Sequence, residues 1–432
     1  MREGKGLGML RTALVGGQQT QRIAAVRISS GRGTRSFGSI GEARFKSKVP
    51  GSLPPFDKWP TTLRRPKHDQ SDPDAFARTL SNTPDWSLTS EVYFTLTLLN
   101  TWTKFSNSRA DSEDILSVTS LERLHDYVHG WIGGAGHMGD VSMAAFDPIF
   151  YLHHANVDRL LSLWSALHPD LWVSEDRQGD GGTFSLPHNA TIDADTPLFP
   201  FARSQDTYWT SRDAIGTTHM GYTYPEFDGL DMTNVLAVQK HIKDVVEGLY
   251  APHGTNPTTS ADNSDESSVQ STWKWSARVR VQRFQLERSF QVLVFLGSVP
   301  EDPSEWVGAP SFVGAFGAFV NGTAAQCANC QVLVDVVTEG CVHLNRALFR
   351  NYDVRTFNPE DVSPRLKDHL DWRIQMVDGT PVRVEKLPSL EVTVVAVQLA
   401  MRVIGEVLPV QVGEAVVHRD ITSGRLGGAH PE

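Results

Sequence analysis

Four imidazoles carry most of the chemistry this chain offers. His125 and His129 stand four residues apart in "SLERLHDYVHGWI", and His153 and His154 are neighbours in "AFDPIFYLHHANVDRLLSLW". Residues at i and i+4 leave a helix on one face, so the first pair presents two nitrogens to one metal ion at roughly 2 Å each. A third nitrogen must come from another element, and the doubled histidine supplies it. Adjacent helical residues point about 100° apart, so one of the two rings joins the first pair and the other is left to pack or hydrogen-bond. Spacing alone does not choose between them. His137, in the loop "GAGHMGD", is placed to line the rim of such a site. A His-x-x-x-His pair also occurs as plain surface decoration. "HDYVH" approaches the zinc-protease pattern, but that chemistry needs Glu as general base where Asp126 stands. Five of the fifteen histidines fall between residues 125 and 154, a concentration that favours a metal site.

The elements that must hold these rings are written in the pattern around them. Ser120 followed by Glu122 reads as a helix start, and Gly133-Gly134 as its end. A second helix is expected from near Phe150, just beyond Pro148, to about Leu167, with Pro169 forbidding extension. "SEVYFTLTLLNTWTKF" (90–105) has apolar residues at helical spacing, and 231–250 reads as one amphipathic helix. "HGTNPTTSADNSDESSVQS" is a polar linker. After it the period changes. "TWKWSARVRVQRFQ", "SFQVLVFLG", "QVLVDVV" and "SLEVTVVAVQL" alternate or run apolar between Gly/Pro turns, as in a β-sandwich or barrel. The expected organisation is an α+β multidomain chain. It has a basic, disordered leader over 1–48 (ten Lys/Arg, two acids) and a helical, loop-rich domain over 49–230. A helix and linker over 231–272 and a β-rich domain over 273–432 complete it.

Bulk properties narrow the class. At 432 residues two domains are expected. A net charge of −10 argues against a nucleic-acid partner. No apolar run of 18 residues occurs, so no membrane partner is expected. Three cysteines (Cys327, Cys330 and Cys341) make no disulfide framework, and the leader lacks the apolar core of a secretory signal, so an intracellular protein is expected.

The stretch "SLERLHDYVHGWIGGAGHMGDVSMAAFDPIFYLHHANVDRLLSLW" closely resembles the copper B region of fungal tyrosinases, type 3 copper proteins like catechol oxidases and molluscan haemocyanins. His-x-x-x-His, Gly-His-Met, Phe-Asp-Pro-x-Phe and His-His-x-x-x-Asp-Arg occur there in order. "GYTYPE" (221–226) is similar to the end of the tyrosinase domain. The tail from "WKWSARVRVQRFQ" through "NPEDVSPRLKDHLDWRIQMVDG" to "GRLGG" is similar to the C-terminal shielding domain. The resemblance implies a partial helical-bundle copper-binding domain followed by that β-rich domain. It implies His125, His129 and His154 as copper ligands, with His153 supporting them from behind. Phe150 would be an aromatic gate, and Met138, Gly139, Val141 and Ala144 would line a substrate pocket. Glu122 and Asp126 would hold a water as base for phenol deprotonation; many relatives carry Asn at the position of Asp126. Asp158 and Arg159 are expected to fix their helix by ion pairing, the plainer reading being a surface salt bridge. Cys327-x-x-Cys330 would capture copper during loading, since thiolates favour Cu(I); the alternative is two unpaired buried thiols. Phe316 or Phe319 would plug the site as a placeholder, with ordinary strand core expected for at least one. Latency of this kind implies proteolytic activation within 263–271.

By the same resemblance the activity would be o-hydroxylation of monophenols and oxidation of catechols to quinones with dioxygen, towards melanin-type pigments. That chemistry uses two coppers, roughly 3.5–4 Å apart as in other two-metal sites, each with three histidines. Upstream of His125 the sequence carries only His68, in a loop, and no cysteine for a Cys–His thioether. One copper site is therefore supported by the residues present, where the family has two. Two readings follow: a tyrosinase by kinship, or a non-catalytic protein holding a single copper or no metal. An oxygen carrier would need both coppers. With the first helices of the bundle lacking, bare apolar faces are expected on the His125 and His154 helices.

Overall fold

The computed structural model describes residues 56–74, 88–107, 119–178, 185–187, 189–251, 271–320, 336–400 and 410–430, and residues 28, 29, 34, 35 and 43 besides. Its first half is helical: α1 (Leu88–Leu98), α2 (Trp102–Ser106), α3 (Leu121–Gly133), α4 (Ile149–Leu167) and α5 (Val235–Tyr250). Ser120 starts α3 as its spacing predicts, its Oγ accepting the Arg123 N–H at 3.1 Å. Gly134 ends it at φ +51°, a left-handed conformation that suits glycine. The periodic segment 90–105 is not one helix. It breaks after Leu98 and restarts when Thr101 caps α2 through the Lys104 N–H.

The apolar faces of α3 and α4 are not bare, which corrects the expectation from the sequence. α1 packs on α3, α4 and α5, and α5 packs along α4. Leu160, Leu163, Trp164 and Leu167 are buried as a result. Trp164 stacks on Phe105 at 4.1 Å and its indole N–H reaches the Leu99 carbonyl at 2.8 Å. α5 contributes Val238, Ile242 and Val246, one face at four-residue spacing.

The second half is a sandwich of two antiparallel four-stranded sheets and not a closed barrel. Its strands are β1 (Ser271–Gln282), β2 (Phe290–Leu296), β3 (Phe312–Ala318), β4 (Val337–His343), β5 (Leu370–Met376), β6 (Pro381–Val382), β7 (Glu391–Ala400) and β8 (Val410–His418). One sheet runs β3-β2-β5-β6 and the other β4-β1-β7-β8. Trp275, Ala277, Val279 and Val281 alternate along β1 as buried core residues. Sequence pattern missed two helices, α6 (Asn345–Tyr352) and α7 (Pro359–His369). Each is short and carries only two buried side chains, so the apolar period is too weak to register.

The two halves share one contiguous apolar core, and a buried polar seam runs beside it where α1 and α3 meet β3 and β4. Arg123 leaves α3 and enters the sandwich, donating to the Cys341 carbonyl at 2.8 Å and lying over the Phe316 ring at 5.0 Å. It fits because residue 340 has no side chain: a Cβ there would sit 1.2 Å from Arg123 Nη1. Nearby, the His343 ring packs on Phe94 at 4.6 Å and lies 3.7 Å from the buried Glu91 carboxylate. Burial, with Lys274 and Arg123 adding repulsion, lowers the His343 pKa to about 3 despite that carboxylate. The Cys341 thiol is buried and pushed up to about 12, so it is an inert core group.

Two outcomes follow from this seam. Gly340→Ala displaces a guanidinium that stays buried, a loss on the order of 3 kcal/mol, read as a lower thermal midpoint. Unfolded, His343 returns to about 6.5. Between about 3 and 6.5 the unfolded chain then binds the extra proton, so stability falls as pH drops across that window. His343→Gln flattens part of that slope in urea midpoints measured against pH.

Candidate metal centre

α3 and α4 are joined by a loop that closes on itself. An added Cβ on Gly133 would sit 1.8 Å from the Gly139 nitrogen, and one on Gly139 1.8 Å from the Gly134 oxygen. Backbone therefore packs directly on backbone, which only glycine permits. This closure brings the Met138 carbonyl under α3 and fixes where α4 begins. At α4's start Asp147 is held by Arg64, whose Nε and Nη2 reach its two oxygens at 2.8 and 2.6 Å.

On this frame the rings of His125, His129 and His154 converge. Nε2 of His125 lies 3.0 Å from Nε2 of His154 and 3.1 Å from Nε2 of His129, and the three candidate ligand atoms all fall within 4.8 Å of one another. The opposite nitrogens fix the tautomers. His129 Nδ1 donates to the Met138 carbonyl at 2.8 Å and His154 Nδ1 to the Phe150 carbonyl at 2.7 Å. His125 Nδ1 donates to Asp126 Oδ1 at 2.9 Å. A carbonyl can only accept, so those rings carry their proton on Nδ1 and turn a lone pair inward on Nε2. Three lone pairs aimed at one point repel until a cation sits among them. Bonds of about 2.0 Å to such a cation at tetrahedral angles separate the nitrogens by about 3.3 Å, close to the spacings found. Burial favours the neutral form of two of them: desolvation lowers the His129 pKa to about 3 and also lowers that of His154. Imidazole donors oriented by two backbone carbonyls and one carboxylate suit copper.

The structure separates the doubled histidine as the geometry required. His154 joins the cluster, while His153 turns behind it, stacks on His125 at 5.1 Å and donates from Nε2 to the His125 carbonyl at 3.2 Å. Phe150 lies on His154 at 4.0 Å. On the other side Phe319, just past β3, stacks on His129 at 4.6 Å and 20°. Phe316 is strand core beneath Arg123 and does not reach the histidines.

Other predicted residues lie elsewhere. Met138 and Ala144 are buried in a small core with Ile132, Ile149 and Leu152, against which Phe150 packs, and Gly139 is buried in the closed loop. Val141 is exposed. His137 is no rim residue: it is buried against Phe56 and Trp59, and its Nδ1 accepts the Leu63 N–H at 3.0 Å. His68 is exposed at the tip of the hairpin formed by Pro66–Lys67 and Gln70–Ser71. Arg159 does make a buried ion pair, with Glu226, but Asp158 instead accepts the hydroxyls of Tyr222 and Tyr224 at 2.8 and 2.5 Å. Cys327, Cys330 and the linker over 263–270 lie outside the described residues.

Glu122 and Asp126 stand together on α3, and sequence reading missed what meets them. Arg283, the residue after β1, places Nη1 3.5 Å from Glu122 and Nη2 3.3 Å from Asp126. Burial raises the Asp126 pKa, opposed by the His125 N–H and by Arg283. No local signal marks Arg283, since an arginine at a strand end is ordinary.

Known proteins show the same two parts in the same order. Residues 15–167 match the common central domain of tyrosinase, and residues 274–394 match the tyrosinase C-terminal domain. Polyphenol oxidase 2 of Agaricus bisporus is 34% identical over 330 residues, which span 72% of this chain and 57% of that protein. A tyrosinase of Neurospora crassa is 26% identical over 480 residues, 87% of this chain and 70% of that one. The structure of latent and active mushroom tyrosinase superposes with a TM-score of 0.72 at 30% identity, covering 85% of this chain and 67% of its own. The chain thus spans little more than half the length of the Agaricus polyphenol oxidase. With both domains matched and the histidine cluster lying inside the first, this chain belongs to the tyrosinase family.

Proposed function

We propose that His125, His129 and His154 bind copper and that the chain serves a tyrosinase-type oxidation of phenols by dioxygen. The observation that carries this reading is the convergence of three Nε2 lone pairs whose Nδ1 protons are committed elsewhere. Copper, paired with a second copper, supplies the electron transfer to dioxygen that such oxidation needs. The chain's own residues do the rest. Phe150 and Phe319 make aromatic walls on either side of the cluster, and Phe319 occupies the face of His129 on which a phenol ring would stack. Glu122 and Asp126 are the carboxylates placed to take the proton of a phenol hydroxyl, and both face Arg283. Phe319 then acts as the placeholder that substrate must displace.

A second reading, a single-copper protein without phenol oxidation, is favoured by one observation. His68 is the one histidine before His125, and it sits exposed at a hairpin tip.

Copper analysis of the purified full chain separates the two. One copper per chain, lost in His129→Ala, with no catechol turnover supports the single-copper protein. Two coppers with turnover support the oxidase. Copper uptake unchanged by His129→Ala sinks both. Asp126→Ala removes the acceptor of the His125 Nδ1 proton, so copper affinity falls by roughly 10–100-fold, measured by chelator competition.

A further inference from the structure

Arg283 touches both lines of contact that lead from the C-terminal sandwich to the histidines. Through one line its Nη2 meets Asp126 Oδ2 at 3.3 Å, and Asp126 Oδ1 accepts the His125 N–H at 2.9 Å. Through the other, Nη2 and Nε donate to the Phe319 carbonyl at 3.0 and 3.3 Å, and the Phe319 ring lies on His129. Nη1 faces Glu122 at 3.5 Å. The side chain is mostly buried, at 17% exposure, and Asp126 at 8% more so, so these bonds are poorly screened by solvent. A single planar fork reaches acceptors on two domains at once, which a lysine ammonium on its flexible stem does not do.

We propose that Arg283 is a positioning residue: a cationic clasp by which the C-terminal domain seats Phe319 on His129 and withholds the Glu122–Asp126 pair from incoming phenol. This rests on the copper-site reading for its consequence, but the clasp is made by side chains and main chain alone. Breaking the clasp frees the 319 segment and opens the histidines, while the sandwich stays docked through Arg123 and the shared apolar core. A salt bridge that merely holds the domains together would act differently, changing unfolding without changing access to individual rings.

The test is ring-by-ring reaction of histidines with diethylpyrocarbonate in the metal-free full chain, read by peptide mass spectrometry. His68, exposed on its hairpin, is the internal reference. In Arg283→Gln, His125 and His129 react about tenfold faster relative to His68, as the bonds to Asp126 and to the Phe319 carbonyl are lost together. Phe319→Ala gives a similar gain, and the double variant adds little to the larger single effect, because both remove one obstacle. Should Arg283→Gln fail the thermal-unfolding check, Glu122→Gln loosens the same fork from the other side and is expected to raise reactivity in the same direction. Unchanged reactivity of His125 and His129 in a folded Arg283→Gln chain, or full additivity with Phe319→Ala, overturns the clasp. Absence of copper binding would overturn the copper reading and leave this readout standing.

Discussion

The structure depends on where three protons sit. His129 and His154 each give their Nδ1–H to a backbone carbonyl, and His125 gives its own to a carboxylate. Everything that makes the cluster a site follows from these bonds, because they force the lone pairs inward. Two of the acceptors belong to main chain, and main chain does not move without moving an element. The Phe150 carbonyl comes with the first turn of α4, one turn before His154 on the same helix. The Met138 carbonyl comes with the glycine loop, so the close approach of Gly133 to Gly139 is part of the metal site although no glycine touches a ring. Proteins commonly orient metal-binding imidazoles this way, and the orientation is what lowers the reorganisation needed when a cation arrives.

How much of this could be read in the sequence divides along a physical line. Local rules were sufficient for α3 and α4: a serine cap, a glycine stop, a proline at each end of the second helix, and four-residue spacing of His125 and His129. The angular argument that only one of His153 and His154 joins the cluster also held in the structure, with His153 turned to a carbonyl. Non-local facts were out of reach. The break in the 90–105 segment is set by Thr101 capping a second helix, against a continuous apolar period. His137 was read as a rim residue from its neighbours in the chain, yet its surroundings are Phe56, Trp59 and Leu63, more than seventy residues away. Met138 and Ala144 share a buried core with Ile132, Ile149 and Leu152, a grouping that local spacing does not reveal. Arg283 carries no signature because its partners lie about 160 residues upstream.

The domain seam works by specificity more than by strength. Arg123 passes from the metal helix into the sandwich, and Arg283 passes from the sandwich back to the metal helix. Placing charges in a buried interface seldom adds net stability, since desolvation offsets the attraction, but it penalises wrong registers heavily. Apolar surface alone, which this seam has in quantity, would tolerate sliding of one half on the other. Two guanidiniums crossing in opposite directions do not tolerate it, because each must find its acceptor on the opposite half.

That registry matters at the scale of one aromatic ring. Phe319 follows β3, so its ring position is set by the sandwich, while His129 is set by α3. A stack of 4.6 Å between them is meaningful only if the two halves are fixed relative to each other to a fraction of an ångström. The shared core supplies adhesion and the crossed arginines supply the index. The C-terminal domain therefore acts on the histidine cluster through the precision of its docking, and a local change at the seam alters access to the rings without unfolding either half.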